Sequence, residues 1–136
     1  MRTRISMVLP FFVLLSNAIL AQTAANIAPP ARSQDEAVTL GYMKTVVYAQ
    51  RQYKKKYSDY ATSLEALVHS GSFTKRMANT DRGAYTVHFH GKKDAYSLSL
   101  VPKQFAPDHR AFYVDETGKM RVEEDKSASV ESPLLK

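Results

Sequence analysis

The sequence predicts an α+β fold, with one long N-terminal helix and a short helix packed on an antiparallel sheet of roughly four strands. Three observations carry that expectation. Apolar residues recur at helical spacing between Asp35 and Tyr57, and the period falls to two from Ala84 onward. The 136 residues also leave room for one hydrophobic core only. With 44% hydrophobic and 24% charged residues, the chain has the composition of a globular protein rather than of a disordered one.

The first 21 residues read as a secretory signal peptide. Arg2 and Arg4 form a basic start, Ile5 to Leu20 is apolar apart from Ser6, Pro10, Ser16 and Asn17, and small residues follow at the expected cleavage point after Ala21. The apolar run is shorter than the roughly 20 residues of a spanning helix, so no stable membrane span is expected after cleavage. The expected location is the periplasm or the exterior, reached by a Sec-type signal. Residues 22–33 contain Pro29 and Pro30 without any period and read as a flexible tether.

The folded domain is expected over residues 34–124. Ser33 suits a helix cap, and Asp35 with Glu36 suits the positive end of the helix dipole. Leu40, Met43, Val47, Gln50, Tyr53 or Lys54, and Tyr57 then follow helical spacing, joined by Ala37, Val46 and Ala49. Lys54, Lys55 and Lys56 suit the negative end, and Ser58-Asp59 is turn-prone. A second helix is announced by Thr62-Ser63-Leu64-Glu65, a threonine-to-glutamate capping box, and is closed by Gly71. Ser70 to Gly83 reads as polar loop.

Two hairpins complete the domain. Tyr85, Val87 and Phe89 alternate with Thr86, His88 and His90, Gly91 to Asp94 reads as a turn, and Tyr96, Leu98 and Leu100 alternate with serines. The second hairpin joins Ala111–Asp115 to Lys119–Val122 through Glu116-Thr117-Gly118. Residues 125–136 are polar and are expected to form a disordered tail.

The segments from Ala49 to Tyr57, from Tyr60 to Leu67 and above all Arg110-Ala111-Phe112-Tyr113-Val114-Asp115-Glu116-Thr117-Gly118-Lys119-Met120-Arg121 resemble the globular head of type IV pilin-like proteins and the major pseudopilin of type II secretion. The resemblance covers about Ala37 to Val122. It implies a long helix laid on an antiparallel sheet, and a non-enzymatic role in secretion, pilus or envelope assemblies with a protein partner. It also implies calcium near the last hairpin, for which Asp115 and Glu116 are the matching residues. A prepilin of that family carries a glutamate a few residues into its hydrophobic helix, whereas no acidic residue precedes Asp35 here and Pro10 interrupts the apolar run. The likeness is therefore to the head without the filament-forming stalk.

The residues themselves offer three further sites. His88 and His90 lie on one side of a strand and supply two of the ligands that a metal-dependent envelope hydrolase needs; the competing reading is the solvent side of an antiparallel strand. Asp115 and Glu116 offer oxygen ligands to calcium, but acidic residues ahead of a glycine equally start a turn. Arg51, Lys54, Lys55 and Lys56, interleaved with Tyr53 and Tyr57, form a partner-binding candidate, either for a protein or for an anionic surface polymer. No nucleophile elbow or phosphate-binding loop occurs, so no enzyme is expected, and calcium is the single cofactor candidate. The formal charge of +6 becomes +4 once Arg2 and Arg4 are removed, and an exported chain of that charge meets anionic envelope surfaces rather than nucleic acid. No cysteine is present, so the domain is held by packing alone. The sequence leaves the oligomeric state open.

Overall fold

A computed structural model describes residues 30–136; the expected signal peptide and most of the tether lie outside the described residues. Helix α1 spans Gln34–Tyr57. Ser33 caps it, its Oγ accepting from the Glu36 N–H at 3.2 Å, and Ser58 ends it in the left-handed region at φ 66°, its N–H donating to the Lys54 carbonyl. The inward face carries Leu40, Met43, Val46, Val47 and Ala49, following the helical period. Tyr57, the last position of that pattern, is exposed because the helix runs past the edge of the core.

Gln50 shows why a polar residue sits among these apolar ones. It is fully buried, its Nε2 donating to the Ala61 carbonyl at 3.0 Å while its Oε1 accepts from the Ala61 N–H at 2.9 Å. Both backbone groups of Ala61 are thereby satisfied away from water, and the chain leaving α1 is bolted back onto it. Helix α2, Leu64–His69, follows. Its cap is Ser63, whose Oγ accepts from the Ala66 N–H at 3.1 Å, one residue later than the threonine-to-glutamate spacing predicts.

The sheet is an antiparallel meander in chain order: β1 Asp81–Arg82, β2 Tyr85–Gly91, β3 Tyr96–Pro102, β4 Ala111–Asp115 and β5 Arg121–Glu123. The expected four strands are therefore five. The extra one, β1, is two polar residues in the stretch that reads as loop, and it exists only as the partner of Tyr85 and Thr86. Lys75–Ala78 in the same stretch forms a turn of 3₁₀ helix. In register, Val87 faces Leu100, Phe89 faces Leu98 and Phe112 faces Val122, so one side of the sheet is continuously apolar and meets α1. Gly91 belongs to β2 rather than to the turn. A Cβ there would stand 2.6 Å from Thr62 Cα and 2.7 Å from the Ala61 carbonyl oxygen, so the backbone after α1 passes directly over it.

Residues 125–136 differ from the expected disordered tail. They fold back beside β5, where the Val122 N–H donates to the Pro133 carbonyl and the Leu135 N–H to the Met120 carbonyl. Ser132 is buried and donates to Glu123, and the Arg121 guanidinium donates to the Ser132 carbonyl at 2.7 Å. This return covers the open edge of β5, which is how a short edge strand avoids stray pairing. The last residues before α1 are also pinned, since Arg32 donates twice to the Glu124 carboxylate at 2.7 and 2.9 Å. No helix among the described residues is long and apolar enough to cross a membrane.

Candidate functional site

The two ends of α1 differ in how their charges are handled. At the N-terminal end every carboxylate has a partner. Glu36 is fully buried and accepts from Arg110 Nε at 2.9 Å, Arg110 Nη2 at 2.8 Å, the Arg110 N–H at 3.0 Å and the Arg32 N–H at 2.7 Å. Burial pushes its pKa up, but these hydrogen bonds and the adjacent guanidinium outweigh it and hold the carboxyl below the usual range. Arg110 also donates to the Pro30 carbonyl at 2.8 Å, so the pair fastens β4 to the chain entering α1. Beside it, His109 lies between two carboxylates, with Nδ1 2.9 Å from Asp108 and Nε2 3.1 Å from Asp35. Those hydrogen bonds raise its pKa, Asp108 contributing most.

None of this network was legible as a site. Glu36 and Asp35 read as ordinary first-turn acids, and their partners lie some 74 residues away along the chain. Nothing local distinguishes Arg110 from a surface arginine.

At the C-terminal end the charges are not paired. Arg51, Lys54, Lys55 and Lys56 take part in no ion pair among the described residues. The chain outside the signal segment has 17 basic and 13 acidic residues, so these four cations equal its whole positive excess. Aromatic rings shape the surface around them. Lys54 Nζ lies 4.1 Å from the Tyr60 ring centroid and Lys56 Nζ 5.1 Å from that of Tyr57, both within cation–π range. Tyr48, 64% exposed, projects one turn before Arg51 and Gln52. Together Tyr48, Arg51, Gln52, Lys54, Lys55 and Tyr60 line an open depression of about 560 Å³. A second of about 480 Å³ adjoins it and shares Tyr48, Gln52 and Lys55. The sequence placed the cations here, but Tyr53 packs against the core, and Tyr48 with Tyr60 take the lining role. Tyr60 is brought in by the hydrogen bond from its N–H to the Lys93 carbonyl in the β2–β3 turn, a long-range contact that no local pattern marks.

The other candidates are placed differently. His88 and His90 are exposed on the outer side of β2, facing Ser99 and Ser97 of β3, and no group of three or more His, Cys, Asp or Glu side chains able to hold a metal occurs among the described residues. Asp115 is buried and its Oδ1 accepts from the Thr117 N–H at 3.0 Å and from the Thr117 hydroxyl. Its carbonyl accepts from Gly118, whose φ of 73° suits glycine. Asp115 thus builds the turn, while Glu116 stays exposed. Over that turn lies Arg51, its Nη2 2.8 Å from where a Gly118 Cβ would stand.

No family model, no curated protein and no solved structure matches this chain. The basic, tyrosine-lined end of α1 is therefore the candidate site on its geometry alone.

Proposed function

We propose that the chain is an exported, non-enzymatic interaction module built like a pilin head, which docks on a protein component of a secretion or envelope assembly. The observation that carries this reading is the set of four unpaired cations gathered around exposed tyrosines at the end of α1. Paired charges stabilise a fold, whereas a cluster of unneutralised like charges costs self-repulsion and is suited to meeting an anionic partner. The meander sheet with one helix laid across it supports the pilin-like part. The signal-like start of the sequence supports export.

The test places a photo-crosslinking residue at position 48 or 55 in cells that make the protein. A discrete adduct with one envelope protein is expected from these sites and not from position 38, exposed at the other end of α1. Mass spectrometry of the purified protein should find Gln22 at the mature N-terminus. Equal adducts from all three positions, or none from 48 and 55, would remove the reading.

A further inference from the structure

The groove at the end of α1 has features that narrow its ligand. We infer that it takes an extended acidic segment of the partner protein, with carboxylates two residues apart. This rests on the interaction-module reading above. Arg51 and Lys55 are one helical turn apart, about 6 Å along the axis. Carboxylates at alternate positions of an extended chain are separated by about 6.6 Å on one side of the strand, so each can meet one cation. Arg51 presents a planar fork suited to a carboxylate from its position over the Gly118 turn, and Lys55 presents a point charge. Gln52, which lines the same depression, carries both an amide donor and an amide acceptor, the pair of groups that a peptide backbone complements. Tyr48 and Tyr60 offer flat, partly apolar walls for the intervening chain.

Other anions fit less well. The four cations fall within residues 51–56, about 7.5 Å of helix, whereas a long polyanion is held by a track of charge. The exposed side chains Val38, Phe105, Val130 and Leu134 line neither depression, and the exposed apolar surface beside the cations is limited to the rings of Tyr48 and Tyr57, which present no aliphatic face to a lipid surface.

The experiment measures binding of labelled probes to the mature protein by fluorescence anisotropy at low and high salt. The probes are a peptide alternating glutamate with threonine, a peptide of the same composition with its glutamates in one block, polygalacturonate, polyphosphate, and phosphatidylglycerol vesicles. The alternating peptide should bind best and weaken as salt rises. It should lose at least about ten-fold in affinity in the Arg51→Glu/Lys55→Glu variant. The control variant Lys75→Glu/Arg76→Glu, with the same change of net charge on the exposed 3₁₀ turn, should stay within about two-fold. Circular dichroism confirms that both variants are folded. Tighter binding of the block peptide, glycan, polyphosphate or vesicles, or equal losses in both variants, would overturn the inference. A preference for glycan, polyphosphate or lipid leaves the crosslinking result to decide the module reading independently.

Discussion

Replacing Glu36 by glutamine keeps the size of the side chain and removes its charge, which isolates the electrostatic part of the buried pair with Arg110. The guanidinium is left in place with only 6% of the side chain exposed and no counter-ion. Breaking a buried pair from one side costs about 3–5 kcal/mol, because the remaining charge stays desolvated and unpaired. That is a large share of the roughly 5–15 kcal/mol that holds a domain of this kind together. At about 4–8 °C per kcal/mol, even the lower figure moves the thermal midpoint down by roughly 12–24 °C. Arg110→Met leaves the carboxylate instead, and a carboxylate can escape by taking up a proton. Its cost should therefore shrink as pH falls from 7 to 5, while that of Glu36→Gln stays nearly constant.

The double variant Glu36→Gln/Arg110→Met closes the cycle. The glutamine oxygen still accepts from one of the two backbone N–H groups, of Arg32 and of position 110, that Glu36 serves, and no unpaired charge is left. Its destabilisation should fall below the sum of the single variants by at least about 1–2 kcal/mol. Urea melts followed by circular dichroism read all four proteins. A Glu36→Gln cost under about 1 kcal/mol, or strict additivity, would refute the account of a desolvated ion pair.

Three further variants test other features of the fold. Because His109 has its pKa raised by Asp108 and Asp35, its contribution is complete below the ordinary histidine value of about 6.5 and is lost as pH rises through the raised folded value. Partial exposure limits that contribution to less than about 1 kcal/mol; His109→Gln should flatten the stability profile above pH 6.5, and an unchanged slope in melts across that range would dismiss the clamp. Glu36, held low, contributes oppositely: its stabilisation is present above the usual carboxylate range and is lost in acid. Gly91→Ala should cost about 1–3 kcal/mol because its methyl meets backbone atoms of Ala61 and Thr62 that have no room to yield. Gly41→Ala, with nothing within 4 Å, should instead stabilise α1 by up to about 1 kcal/mol. Equal melting points for the two variants would contradict the packing described here.

What could be read from the sequence follows the range of the interactions. Helix α1 was legible because Leu40, Met43, Val47 and the caps state a period and a boundary locally, and the β2–β3 hairpin because its alternation changes face at every residue. Strand β1 was not, since Asp81 and Arg82 have no apolar face and owe their conformation to β2. The return of residues 125–136 was missed for a related reason. It is held by backbone hydrogen bonds, by Ser132 with Glu123 and Arg121, and by the isolated apolar contacts of Ala128 and Leu135, which are too far apart to form a periodic pattern. For the site, the cations of α1 were plain as a run, but a run does not reveal whether its charges are neutralised by acids folded against it. Only the tertiary structure shows Lys54 resting on Tyr60 and Lys56 on Tyr57 rather than on a carboxylate.

The contrast between the ends of α1 bears on where a partner binds. Cations at a helix C-terminus gain about 0.3–1 kcal/mol each from the dipole at best, and the gain falls off beyond the last turn. Arg51 stands three and four residues before Lys54 and Lys55, the spacings at which like charges on a helix repel, so helix stability alone does not account for the cluster. The same chain solves a comparable problem at the other end, where Asp35 and Glu36 are answered by His109 and Arg110 from a distant loop and strand. The fold thus supplies counter-charges where they serve its own cohesion, and the basic end, left without them, gathers four of the five cations of α1 that lack an ion pair among the described residues, Lys44 standing alone mid-helix, and offers them to another molecule.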